Sequence, residues 1–158
     1  MYIQSLELKN YRNYDRLIIE FSSGTNILYG DNAQGKTNIL EAAYLSGTTK
    51  SHRGTKDRDL IRFGCEESHI ETVIERSGVP FQIDMHLKKS SPKGIAINKV
   101  PIRRASELFG LMNFVFFSTE DLNIIKNGPS ERRRFMDLEL SQLDKIYLKD
   151  LANYNRII

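Results

Sequence analysis

One stretch of eight residues, Gly30-Asp31-Asn32-Ala33-Gln34-Gly35-Lys36-Thr37, constrains this chain more than any other. It satisfies G-x-x-x-x-G-K-[ST], the Walker A pattern of phosphate-binding loops. Its context agrees with that chemistry. The run Asn26-Ile27-Leu28-Tyr29 before it reads as a short buried strand. After it, from Lys36, Ile39, Leu40, Ala43 and Tyr44 recur at helical spacing, and Gly47 reads as the helix stop. Gly30 and Gly35 let the backbone turn tightly without a Cβ in the way. Amides from about Asn32 to Thr37 then converge on phosphate oxygens at a helix N-terminus, where the dipole favours negative charge. Lys36 supplies a point charge for the β- and γ-phosphates, and the Thr37 hydroxyl is a ligand for Mg²⁺. Residues 30–37 are therefore the expected site for ATP and Mg²⁺.

The rest of the chain separates into a β-rich first part and a helical end. Ile3, Leu6 and Leu8, then Leu17 to Phe21, read as strands, with a turn at Ser22–Thr25. Residues about 50–65 are polar and basic, a loop with one helical turn at most. His69 to Arg76, Pro80 to Leu87 and Gly94 to Val100 read as an antiparallel meander, with Ser77-Gly78 as a turn. Asn113-Phe114-Val115-Phe116-Phe117 reads as another buried strand. Beyond Pro129, apolar residues fall at Met136, Leu140, Leu143, Tyr147, Leu151, Tyr154 and Ile158. That spacing predicts one helix of about 28 residues, roughly 42 Å at 1.5 Å per residue. Pro129 suits its first position and Glu131 its positive end. Such a helix either lacks its partner helices or packs across the domain.

Composition excludes several classes. With 158 residues, 40% hydrophobic and 27% charged, the chain has material for one core and is neither disordered nor low-complexity. The longest fully apolar run, Phe114 to Phe117, is too short to cross a membrane. Cys65 is the single cysteine, and the N-terminus has no export signal, so the expected location is cytoplasmic. His52, His69 and His86 show no metal-ligand spacing, and the net charge of +3 permits an acidic partner without requiring one.

Three groups of residues carry a family resemblance: Lys9-Asn10-Tyr11-Arg12-Asn13-Tyr14; Gly30 to Thr37 extended by Asn38-Ile39-Leu40-Glu41-Ala42; and Ser51-His52-Arg53. Phe116 to Leu122, Gly128-Pro129-Ser130 and Arg132 to Asp137 agree with them. Together they resemble the N-terminal portion of the RecF family, bacterial recombination mediators among the ABC/SMC-type ATPases. The resemblance implies an α/β fold: a P-loop NTPase head of ABC/SMC type, with an antiparallel meander and the start of a helical lobe. It divides the chain into a head part, 1–128, and a helix opening an inserted lobe, 129–158. It also implies ATP-dependent DNA binding in recombinational repair, replication and the response to DNA damage, the SOS response included. The implied partners are gapped DNA or single-strand/double-strand junctions, the mediator RecR, and a second copy joined by ATP. Heads of this type also need a Walker B strand and a signature motif. Neither is legible here: Glu120-Asp121 are separated from the preceding apolar run, and Leu45-Ser46-Gly47 lies at the wrong end of its helix. The chain is therefore expected to be an N-terminal part, binding ATP without turning it over, with ATPase activity in the full-length protein. The competing readings are a P-loop small-molecule kinase, which the meander argues against, and a binding module with a vestigial loop, which intact Lys36 and Thr37 argue against.

Weaker signals stay open at this level. Arg12 is either a nucleotide contact, as the resemblance implies, or a surface arginine on a turn. Glu120 or Asp121 sits near Mg²⁺ or merely follows a helix N-cap at Ser118 or Thr119, the cap being favoured. Residues 85–106 hold Lys88, Lys89, Lys93, Lys99, Arg103 and Arg104 with no acid, which reads as a DNA-contacting hairpin or an ordinary solvated one. Arg132-Arg133-Arg134 cannot all face one ligand. Ser51-His52-Arg53 reads as a loop rather than a hydrolase fragment, and Cys65 as an inert thiol.

Overall fold

The computed structural model describes residues 1–118 and 128–157. Glu120 and Asp121 lie outside them. The chain forms two compact units, Met1–Ala105 and Ser106–Ile158.

The first unit is a six-stranded antiparallel sheet with two helices. The strands are β1 (Tyr2–Tyr11), β2 (Tyr14–Glu20), β3 (Glu67–Arg76), β4 (Val79–Lys88), β5 (Gly94–Ile97) and β6 (Val100–Pro101), in the order β2-β1-β3-β4-β5-β6. The helices are α1 (Lys36–Thr48) and α2 (Asp57–Leu60). Period-two alternation sets the buried face: Leu6 and Leu8 of β1, Ile70, Thr72 and Ile74 of β3, and Ile83, Met85 and Leu87 of β4 all point one way. Against these strands pack Ile39, Ala42 and Leu45 of α1, and the Ser46 and Thr72 hydroxyls meet at 2.7 Å. The meander is as expected except at its end, where Gly94–Val100 is not one strand: Asn98 and Lys99, at φ 50° and 66°, turn the chain between β5 and β6. Its β3–β4 turn is Ser77-Gly78 with φ of 53° and 80°, the left-handed pair a two-residue hairpin needs.

Two further expectations in this unit fail. Residues 26–29 form no strand: Ile27 is 78% exposed and Tyr29 91%. The Asn26 amide instead staples a turn, accepting from the Ser22 amide at 2.9 Å and donating to the Ser22 and Gly24 carbonyls. A strand exists by pairing, and the six strands of this sheet do not flank this run. Gly47 does not stop α1 either. It is buried inside the helix, which ends at Thr48; Thr49 adopts φ 63° and returns its amide to the Leu45 carbonyl at 2.8 Å.

The second unit holds α3 (Pro129–Leu143) and α4 (Lys145–Ile157). The single long helix expected from the apolar spacing is thus two. The break is Asp144, extended at φ −131° and ψ 113°. Its amide closes α3 onto the Leu140 carbonyl at 2.9 Å, and its carboxylate accepts from the Ile146 amide at 2.7 Å, opening α4. An apolar period of 3.6 survives a one-residue interruption, so the spacing alone conceals it. Residues 113–117 are not a strand: Val115 is 95% exposed and Phe117 80%. The Phe114 amide and carbonyl are taken by the buried Gln142 side chain of α3, at 2.7 and 3.1 Å, in place of a neighbouring strand.

Candidate nucleotide site

The loop between β2 and α1 has the backbone a phosphate cradle needs. Gly30, Ala33 and Gly35 have φ of 139°, 64° and 103°, and Lys36 is the first residue of α1. Gly35 is required for space as well as for its dihedral. A Cβ there would lie 2.5 Å from the Tyr14 hydroxyl and 2.8 Å from the Asn13 amide group. Asn13 lies in the turn joining β1 to β2 and Tyr14 opens β2, and both donate to the Gln34 carbonyl, at 3.2 and 3.3 Å. Asn13 also accepts from Asn38 of α1 at 2.9 Å. The hairpin turn therefore grips the loop from behind and leaves its front open.

That open side is a cavity of about 210 Å³ lined by Asn32, Ala33, Gly35, Lys36, Thr37, Asn38 and Arg53. The Lys36 ammonium lies across the loop, donating to the Gly30 carbonyl at 2.7 Å and the Asp31 carbonyl at 2.5 Å. Two cations, a hydroxyl and a helix N-terminus around one small polar cavity fit the oxygens of a phosphate chain. The Thr37 hydroxyl on the same wall fits a hard cation such as Mg²⁺.

Beneath the loop lies Glu41, fully buried and the one charged residue so enclosed among the described residues. Arg12 donates to it through Nε and Nη2, both at 2.9 Å, and Ser51 through Oγ at 2.5 Å; Arg53 Nη1 stands 3.9 Å away. Burial alone would raise the carboxyl's pKa. Hydrogen bonds from Arg12 and Ser51, with the charges of Arg12 and Arg53, outweigh it and hold the group below its ordinary 4.5. Tyr11, buried at the end of β1, is pushed the other way, first by burial and then by the charge of Glu41.

Residues 30–35 form the loop and Lys36 and Thr37 open α1; of these Asn32, Ala33, Gly35, Lys36 and Thr37 line the cavity, and Gly30, Asp31 and Gln34 do not. Arg12 sits on the β1–β2 turn at φ 52°, with its guanidinium on Glu41, the Thr55 hydroxyl and the Asp59 carbonyl rather than in the loop. The basic hairpin is less bare than its sequence. Lys88 pairs with Glu67 at 3.9 Å and Lys89 with Glu66 at 3.3 Å, while Lys93 bridges Asp57 at 3.0 Å and the Thr49 carbonyl. Arg103 and Arg104 follow β6 with exposed side chains. Sequence reasoning singled out neither Glu41 nor Arg53 as a site residue. The signal was present in the runs Asn38–Ala42 and Ser51–Arg53, but nothing in one dimension says that they meet.

The AAA ATPase domain model matches residues 1–156. The chain belongs to that family. It is 66% identical over all 158 residues to the DNA replication and repair protein RecF of Agathobacter rectalis, and 47% to that of Clostridium botulinum strain Loch Maree. It spans 44% and 43% of those proteins, less than half the length of the curated relatives it matches. Among solved structures it resembles a RecF–ATP recombination mediator, at 36% identity and a TM-score of 0.93, over 98% of this chain and 42% of that one. An Smc head domain from Pyrococcus yayanosii gives 25% identity and a TM-score of 0.67, over 87% of this chain and 32% of that one. The AAA-family fold is accordingly α/β of P-loop type, an antiparallel sheet with helices, shared with SMC heads.

Proposed function

We propose that this chain is the nucleotide-binding part of a RecF-type DNA-repair ATPase, and that it takes Mg-ATP in the loop of residues 30–37. The observation that carries this reading is the open cavity lined by Lys36, Thr37 and Arg53 on a glycine-hinged helix N-terminus. The match to RecF, one structure of which is named with ATP, supports it. Lys36 holds the β- and γ-phosphates, leaving the two carbonyls it now contacts. The amides of residues 32–37 bind the phosphate oxygens, and Thr37 holds Mg²⁺. The metal, when bound, offsets the phosphate charge. Arg12 belongs to the site through the residues that it fixes.

In a protein of the relatives' length we propose ATP-driven joining of two heads on gapped or junction DNA, RecR as partner, action in the cytoplasm and hydrolysis of the nucleotide. Lys88, Lys89, Arg103 and Arg104 are the proposed DNA contacts; Lys93 is held by Asp57 and contributes charge only. The test of the core reading is a Mg-ATP titration of the chain with Lys36→Ala alongside. Saturable binding, lost in the variant while its circular dichroism is unchanged, is the expected result. Equal affinity in the two would remove the loop from the nucleotide site.

A further inference from the structure

We infer that Glu41 is a positioning residue: the buried anion that sets Arg53 on the wall of the phosphate cavity. The inference rests on the nucleotide reading and extends it to a residue that cannot touch the ligand. Three observations carry it.

The first is placement. Glu41 stands on α1 five positions after Lys36, fully buried, and receives donors from two segments remote in sequence, the β1–β2 turn and the loop after α1. A helix-borne carboxylate in such a place is costly unless something uses it. The second is the division of its partners. The Arg12 guanidinium is spent on protein acceptors: Nε and Nη2 on Glu41, Nη2 also on Thr55, and Nη1 on the Asp59 carbonyl. Arg53 is not so bound. Its Nη1 donates to the Asn38 side-chain Oδ1 at 3.4 Å and stands 3.9 Å from Glu41, while the residue lines the cavity with Lys36 and Thr37. The third is the Ser51-His52-Arg53 run itself. Ser51 is buried with its hydroxyl on Glu41, and that hydroxyl also accepts from the Arg53 amide at 3.1 Å. His52 packs edge-on against Tyr44 of α1, with ring centres 5.8 Å apart. The first two residues of the run thus anchor the backbone, and the third delivers a guanidinium to the cavity. Arg12 neutralises Glu41 and, with Ser51, orients it; Glu41 and Asn38 then restrain Arg53 before any phosphate arrives. Restraining a long cation in advance removes ordering cost at binding.

A double-mutant cycle on Mg-ATP affinity tests this, with Glu41→Gln, Arg53→Ala and the pair, and with Lys36→Ala as reference. Each single variant is expected to weaken binding about tenfold, within the range of coupling between contacting groups. The pair is expected to lose no more than Arg53→Ala alone, because Glu41 acts through Arg53. Glu41→Asp, which keeps the charge, should recover part of the loss. Losses that simply add, or wild-type affinity in Glu41→Gln, would overturn the inference. Should Glu41→Gln fail to fold, Ser51→Ala takes its place in the cycle: a loss of about threefold that vanishes in the Arg53→Ala background supports the role, and an undiminished loss there overturns it. If Lys36→Ala binds as the wild type does, the nucleotide reading falls. If it loses binding while the cycle is additive, only the role of Glu41 falls.

Discussion

At the scale of single residues, space and charge each decide one position. Gly35 has φ 103° and its missing Cβ would be 2.5 Å from the Tyr14 hydroxyl. Gly35→Ala must therefore bear both dihedral strain and a forced shift of the β1–β2 turn. The expected loss of stability is on the order of 1–3 kcal/mol, read as a lower melting temperature. An unchanged melt would mean that the loop is not gripped by that turn. Glu41 gives a pH dependence. Burial raises the Glu41 carboxyl, but the Arg12 guanidinium, the Ser51 hydroxyl and the Arg53 charge outweigh it, so its folded pKa lies below 4.5. A carboxyl with a depressed folded pKa contributes stability that is present above the unfolded value. It is lost as pH falls through the folded one. Below about pH 4.5 the chain should lose stability partly through this group. In urea melts from pH 7 to pH 3, Glu41→Gln should be less stable near neutrality and show a shallower acid decline. An acid limb of unaltered slope would place the titration elsewhere.

At the scale of elements, a few polar contacts fix how helices meet their neighbours. Thr72 of β3 is the buried hydroxyl under α1, and its partner Ser46 donates to the Ala42 carbonyl at 3.0 Å. Thr72→Val keeps the shape and removes one hydrogen bond, so about 1 kcal/mol should be lost in chemical denaturation. A loss near zero would mean that apolar packing alone seats the helix. In the second unit, Gln142 serves residues 113–117 as a substitute strand edge, taking both main-chain groups of Phe114. Gln142→Ala should raise amide exchange at Phe114 by about tenfold, the equivalent of 1.4 kcal/mol. Unaltered protection would show that the segment is held by other contacts. The break between α3 and α4 follows the same logic: a carboxylate at Asp144 outbids the continuing helix by capping the next one.

At the scale of the whole molecule, charge and apolar surface behave differently from their appearance in the sequence. Residues 85–106 hold no acid, but Glu66, Glu67 and Asp57 of neighbouring segments come to the lysines. The exposed pairs of Lys88 and Lys89 are weak and leave those two cations able to exchange partners. Reversing Lys88 and Lys89 together in a protein of the relatives' length should weaken DNA binding and reduce its salt slope by about two. An unaltered slope would take this hairpin off the DNA face. Among the described residues no helix is long and apolar enough to cross a membrane.

The amino-acid sequence by itself determined the phosphate loop, the antiparallel strands and the tight turns. Each is a local property: a glycine where φ is positive, an alternation of period two, a helix whose first residue is Lys36. Resemblance then named the RecF type, because its runs are long and ordered. Contacts between distant segments were decided only in three dimensions. Asn26–Tyr29 and Asn113–Phe117 have strand composition without strand neighbours. Gly47 has the residue type of a stop inside a helix that runs on, and Asp144 interrupts an unbroken apolar period. Glu41 resembles any helix glutamate until Arg12, Ser51 and Arg53, placed 29, 10 and 12 residues away in sequence, close around it. Propensity and period report what one segment prefers, whereas pairing, burial and charge neutralisation depend on what stands opposite, and only the folded chain supplies that.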